Sequence, residues 1–151
     1  MAVISVARTI NAPVERVWAV LTDLDHAADT LTGVRKVERL AGEGYGVGTR
    51  WRETRAMFGK EAAEEMEVAE VSPPNRTVVV ANSRGVDYRT EITVEPRGTG
   101  SELTFVFSGE TQRPSRLRAL LERVTMPLAA SMTKKMIAAD LADIARVAEA
   151  G

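Results

Sequence analysis

The sequence predicts an α+β domain in which one antiparallel sheet is followed by a long C-terminal helix. The first observation behind this is alternation: Tyr88, Thr90, Ile92 and Val94 interleave with Arg89, Glu91, Thr93 and Glu95, the period-two pattern of a strand with one face on a core and one in water. The second is the shortness of the links. Pro73-Pro74-Asn75, Gly85 and the run from Arg97 to Gly100 separate β-rich segments, and connections of that length join antiparallel neighbours. The third is the end of the chain, which reads as helix after Pro114. At 151 residues the chain has the usual size of one domain with one core, so 1–151 is expected to form a single domain.

Taken in order, Val3 to Ile10 is rich in β-branched residues and reads as a strand. Pro13 then takes a first helical position behind Asn11 and Ala12, a good capping environment. Val14, Val17, Trp18 and Leu21 recur at helical spacing, so this helix lies on a core by one face. Asp23 and Asp25 begin a second short helix through Leu31, which Gly33 ends before a strand over Val34 to Leu40. Gly42, Gly44, Gly46 and Gly48 supply the positive φ of a tight strand connection. A phosphate cradle is disfavoured there, because the run lacks a terminal Lys-Ser/Thr and leads into a strand-like segment, Thr49 to Thr54.

From Lys60 to Val71 the local signals conflict. Ala and Glu content favours helix, whereas Met66, Val68, Ala69 and Val71 fit a bulged strand. Beyond it, Thr77 to Asn82 is a continuous β-branched run, and Leu103, Phe105 and Phe107 share one strand face. Pro127 should divide the terminal segment into a short helix and a long one, since proline lacks an amide hydrogen and its ring crowds the preceding turn.

Composition closes several classes of function. A hydrophobic fraction of 44% and a charged fraction of 27% belong to an ordinary globular chain. Twenty basic against twenty-one acidic residues leave a net charge of -1, which gives nucleic acid or an anionic membrane no long-range attraction. With no cysteine, disulfides, thiolate catalysis and Cys-rich zinc sites are ruled out. Arg8 interrupts the N-terminal apolar run, which lacks a basic n-region and a cleavage site. No window approaches the roughly 18 apolar residues that would span a bilayer, and the expected location is the cytoplasm. A homodimer is compatible with the sequence.

Four phrases carry a family resemblance. They are Ile10-Asn-Ala-Pro-Val-Glu-Arg-Val-Trp-Ala-Val-Leu-Thr-Asp23, Val47-Gly-Thr-Arg-Trp51, Val94-Glu-Pro-Arg-Gly-Thr-Gly-Ser-Glu-Leu-Thr104 and Asp140-Leu-Ala-Asp-Ile-Ala145. With the order of elements, they make the chain resemble the START-like (SRPBCC) superfamily of polyketide cyclase/dehydrase and lipid-transport domains over essentially its whole length. The resemblance implies a helix-grip fold like that of the birch-pollen allergen. In it, a seven-stranded, strongly bent antiparallel sheet wraps around the long C-terminal helix, with two short helices between strands 1 and 2. It also implies a strand over Lys60 to Val71 and a cavity between sheet and helix. Members bind lipids, sterols, plant hormones or polyketide intermediates, and a minority catalyse cyclisation or dehydration there. None of the four phrases is itself catalytic.

Helical spacing places Met126, Ala130, Thr133, Ile137, Leu141, Ile144 and Ala148 on one stripe, expected to face the sheet. Leu128, Met132 and Met136 form a second stripe that runs on into Asp143 and Arg146. That stripe either packs as ordinary core beneath Leu117, Leu120, Leu121 and Val124 or forms a cavity wall, for which flexible, polarizable methionines are suited. On the sheet, alternation puts Trp51 with Glu53 on one strand face, and Tyr88 with Thr90 and Ile92 on the concave one. Together with Phe105, Phe107, Leu128, Met132 and Met136 these are the expected ligand-lining residues, an apolar wall with a few polar tips. Core filling by Trp51 and Tyr88, with Glu53 as a salt-bridge partner, explains the same pattern.

His26 is the sole histidine and has no second ligand at metal-binding spacing, so neither a metal nor a nucleotide cofactor is expected. It reads as an exposed helix residue rather than an acid or base. No Ser/His/Asp arrangement has local support. The acidic run Glu61, Glu64, Glu65, Glu67 and Glu70 reads as a solvated strand face, while Arg35, Arg50 and Arg52 stay unassigned as candidate anion holders. Three functions follow from the resemblance: binding or transport of a hydrophobic, lipid-like or polyketide-like molecule; an aromatase/cyclase acting in the same cavity; and a protein-interaction module of the co-chaperone type with a filled interior. The leading expectation is binding, and whether catalysis occurs stays open.

Overall fold

A computed structural model describes residues 3–57, 59–111 and 116–151, with side chains given for all of these except 57 and 116–129. The chain runs β1 (Val3–Ile10), α1 (Val14–Leu21), a 3-10 turn (Leu24–His26), α2 (Ala27–Thr30), β2 (Val34–Ala41), β3 (Arg50–Met57), β4 (Lys60–Ser72), β5 (Arg76–Ser83), β6 (Val86–Arg97), β7 (Gly100–Thr111) and α3 (Arg116–Ala150). The seven strands form one antiparallel sheet in the order β1-β7-β6-β5-β4-β3-β2. From β2 onward each strand pairs with its successor, while β1 crosses to the far edge and pairs with β7 from Val3↔Ser108 to Ile10↔Ser101.

Local chemistry explains the punctuation. Pro13 precedes α1 with φ -67° and ψ 157°, and its carbonyl accepts the amides of Arg16 and Val17. Pro13 is thus the capping residue rather than the first helical one, and the capping environment expected of Asn11 and Ala12 supplies no side-chain bond to the start of α1. Asp23 does act as a cap: its carboxylate accepts the amide of His26 and opens the 3-10 turn. In the β2–β3 loop Gly42 has φ +82°, and a Cβ there would meet Thr49 Oγ1 at 3.0 Å, so both conformation and space call for glycine.

The Lys60–Ser72 segment is a strand despite its helical composition, held on both sides by β3 and β5. Its register slips between Val68 and Glu70, leaving Ala69 as the bulged residue. At the other end of the chain the expectation has to be corrected. The segment containing Pro127 is assigned to one helix, Arg116–Ala150, rather than to a short helix followed by a long one. A proline interior to a helix removes one hydrogen bond without having to end it when packing holds the flanking turns.

The main core gathers Ile10, Val17 of α1, Val94, Leu103, and Ile137, Leu141, Ile144 and Ala148 of α3. The sheet-facing stripe read from helical spacing is therefore in place through its second half. A smaller cluster forms around Leu24, Trp51 and Val68. Polar ties fix α3 against the rest: Asn11 donates its amide to Glu149 at 2.8 Å, Arg16 donates to the Val147 carbonyl at 3.2 Å, and Thr32 donates backbone and hydroxyl protons to Asp143 at 2.9 and 3.0 Å. Burial pushes the Asp143 carboxyl up, but these bonds and Arg146 outweigh it and hold it below its ordinary value.

Candidate functional site

The concave face of the sheet is set by parity. The pairings Trp51↔Met66, Met66↔Ala81, Ala81↔Tyr88, Val79↔Thr90 and Thr90↔Phe107 carry one face across five strands. Between that face and α3 lies a cavity of two adjoining lobes, of about 190 and 250 Å³. The first is bounded by Leu21, Leu24 and Leu31 from the short-helix region, by Trp51, Ile92 and Phe105 from the sheet, and by Ile137 and Ile144 from α3. The second reaches Ala62, Glu64, Ala81 and Tyr88. Glu53, Arg55, Thr90, Phe107, Thr133 and Met136 border both.

One end of the first lobe is roofed by the glycine loop. Tyr45 lies edge-on to Trp18 with ring centroids 6.3 Å apart and tilted against Trp51 at 6.4 Å. Its hydroxyl bonds Thr77 Oγ1 at 2.9 Å, and burial pushes its pKa up. In the second lobe Tyr88 stacks on Phe107 at 5.5 Å. These rings supply broad apolar area with polar tips, the composition of a small-molecule pocket.

The polar part of the cavity is a buried ionic triad. Arg55 donates from Nε to Glu53 Oε2 at 2.7 Å, and from its two terminal nitrogens to the Asp140 carboxylate at 3.1 and 2.7 Å. Glu53 and Asp140 are each 7% exposed. Burial pushes the Asp140 carboxyl above its ordinary value against the pull of Arg55. Burial works against the charge on Arg55 as well, but its two carboxylate partners prevail and hold its pKa above the usual value. A charged cluster this deep persists only because every member is paired.

Of the expected lining residues, Trp51, Glu53, Tyr88, Thr90, Ile92, Phe105, Phe107 and Met136 surround the two lobes. Met132 does not: it is 36% exposed and borders neither lobe, because it lies about 40° beyond the helical face of Met136. The side chain of Leu128 lies outside the described residues. Ile137, assigned from sequence to the sheet-facing core alone, also borders the first lobe. Glu64 departs from its acidic run, since strand parity turns it onto the second lobe while Glu61, Glu65, Glu67 and Glu70 stay exposed. Arg50 and Arg52 point to the other face and pair with Glu65, and Arg35 is exposed. His26 is exposed and bonds Asp23 at 2.8 Å, an interaction that raises its pKa.

Sequence reasoning missed Arg55, Asp140 and Tyr45. Two of them carried a signal. Arg55 continues the alternation Trp51, Glu53, and Asp140 stands one turn from both Met136 and Ile144, a carboxylate on a buried helical face. A larger concavity of about 620 Å³ also exists, lined mainly by charged and polar groups such as Arg50, Glu65, Glu67, Asp87 and Arg89. It lacks the apolar wall of the inner lobes. Among the described residues no group of three His, Cys, Asp or Glu is arranged to hold a metal ion, and no helix is long and apolar enough to cross a membrane.

The family model described as polyketide cyclase / dehydrase and lipid transport matches residues 1–149. The chain belongs to this family. No curated protein matches the sequence. Among solved structures the family member is similar to TTHA0849 from Thermus thermophilus, with 22% identity, a TM-score of 0.81, and coverage of 99% of this chain and 98% of that one. It is likewise similar to the Zhui aromatase/cyclase from Streptomyces sp. R1128, at 20% identity, a TM-score of 0.76, and 98% and 93% coverage. Ara h 8.0201 matches at 12% identity with a TM-score of 0.71 and 97% coverage of both chains. At these identities the shared property is the helix-grip fold that the resemblance implied.

Proposed function

We propose that this protein binds, and either carries or stores, a hydrophobic small molecule in the cavity between the sheet and α3. The observation that carries the reading is the pair of adjoining lobes, walled by Trp51, Ile92, Phe105, Phe107 and Met136 and interrupted by a single buried ionic group. Apolar walls supply affinity through surface removed from water, and a few fixed polar groups supply orientation. A domain whose role lay wholly on its outer surface would be expected to fill this interior to native density, so the cavity favours binding over the interaction-module reading. The test is native mass spectrometry of freshly purified protein. Small molecules released on activation support the reading; an empty protein that also fails to take up a neutral fluorescent probe rules it out.

A second reading is an aromatase/cyclase. The observation in its favour is the Glu53–Arg55–Asp140 triad inside the cavity, together with similarity to the Zhui aromatase/cyclase and to the di-domain ARO/CYC StfQ. A raised Asp140 carboxyl could hold the proton that an enol or a departing water requires, while the walls fold the chain of the substrate. Incubation with a poly-β-ketone thioester separates the two readings: a change in product distribution that Asp140→Asn removes indicates catalysis, and unchanged products indicate binding alone.

A further inference from the structure

The charges around the two lobes are unequal. Among the described lining residues, Glu53, Glu64 and Asp140 face a single guanidinium, Arg55, a formal excess of two negative charges. Arg55 is committed to its neighbours, since three of its five N–H groups already serve Glu53 and Asp140. Glu53, in contrast, is 7% exposed and has spent only Oε2 on Arg55. No described residue donates to its Oε1. A carboxylate oxygen to which no described residue donates, on a side chain bordering both lobes, is an acceptor open to a hydrogen on the guest.

Building on the ligand-binding reading above, we propose that the cavity selects apolar molecules whose polar end is a hydrogen-bond donor, a hydroxyl or a protonated amine, and rejects those ending in a carboxylate. The donor pairs with Glu53 Oε1. A carboxylate entering the same place would meet an already neutralised guanidinium and the like charges of Glu53 and Glu64, and two ionised carboxylates close together in low dielectric repel strongly. Arg55 keeps two N–H groups, but its single charge is already matched by Glu53 and Asp140, so a third carboxylate brought against it goes uncompensated. The selectivity therefore comes from the ratio of carboxylates to guanidinium in the lining and needs no change of shape.

Displacement of the neutral probe N-phenyl-1-naphthylamine by 1-decanol, decylamine and decanoate at pH 7.5 tests this, each kept below its micelle concentration. The three share one apolar chain and differ only at the end. Decanol and decylamine should displace the probe, with decanoate weaker by about tenfold or more, a difference of about 1.4 kcal/mol. The decanol and decylamine arms separate neutral from cationic donors. In Glu53→Gln the decanoate gap should close; in Glu64→Gln, where the side chain is half-buried and the fold is less at risk, it should narrow. Decanoate competing as well as decanol with the wild type overturns the selectivity while leaving the binding reading intact. Failure of the wild type to take up the probe at all overturns both.

Discussion

Arg55 neutralises two carboxylates that water hardly reaches. Removing one partner from a buried ionic cluster costs about 3–5 kcal/mol, because the remaining charge is left uncompensated. Arg55→Met should therefore lower stability by that amount in urea denaturation, and adding Glu53→Gln with Asp140→Asn should restore much of it. Asp140 gives a second readout. Its carboxyl is raised by burial, so the folded chain holds that proton more tightly than the unfolded chain does. The associated stability is fully present below the ordinary carboxylate range and is lost as pH rises through the raised value. Between those two points the Asp140→Asn variant should lose this segment of the pH dependence. A pH profile unchanged by the substitution would show that Asp140 is ionised throughout. Glu53 was legible in the sequence as a polar member of an inward strand face. Arg55 and Asp140 each carried a local signal of facing inward, but their pairing did not, since they are 85 residues apart and contact at that distance leaves no local pattern.

At the scale of elements, α3 shows both what periodicity can read and where it stops. Ile144 is 4% exposed, while Arg146 is exposed and reaches Asp143 at 3.0 Å. Ile144→Ala should cost about 2–5 kcal/mol through lost burial and the space left behind, and Arg146→Ala under about 1 kcal/mol, because Arg146 is exposed and Thr32 still donates twice to the buried Asp143 carboxylate. Equal melting temperatures would mean the helix is rotated. The 3.6-residue period located the sheet-facing stripe because burial on α3 follows the axis. It could not tell Met132 from Met136, which differ only in how far round the helix the sheet extends. Strand β4 is the reverse case: its Ala and Glu residues favour helix locally, and the ladders to β3 and β5 decide otherwise. Only the family resemblance indicated that outcome beforehand. On the outer face, Val78 is 1% exposed although its parity points away from α3. Beside it Glu70, Arg76 and Glu91 form a linked set of ion pairs, and Val78 sits opposite Glu91 and Glu70 in the ladders. The long stems of such residues shelter an apolar neighbour while their charged ends stay in water.

For the molecule as a whole, folding and guest uptake should be separable with Leu141 as the control, since Ile137 also borders the first lobe. Leu141 is 1% exposed and borders neither lobe. Leu141→Ala should cost about 2–5 kcal/mol and leave probe affinity per folded molecule unchanged. Met136→Trp should weaken probe uptake yet destabilise by less than the roughly 1–3 kcal/mol typical of overpacking a full core. Unfolding of Met136→Trp would show that this side of α3 is packed solid.

The strand order has a consequence for how the chain is made. Strands β2 to β7 can pair one after another as each leaves the ribosome, because every partner is the next hairpin arm. The first strand has no such neighbour. Val3 waits for Ser108, and at a synthesis rate of about 5–20 residues per second the delay is about 5–20 s. Throughout that interval β1 stands as an unpaired edge, so the strand of this sheet that is synthesised first is among the last to be protected, and slowing translation lengthens its exposure to chaperones and to other copies of itself.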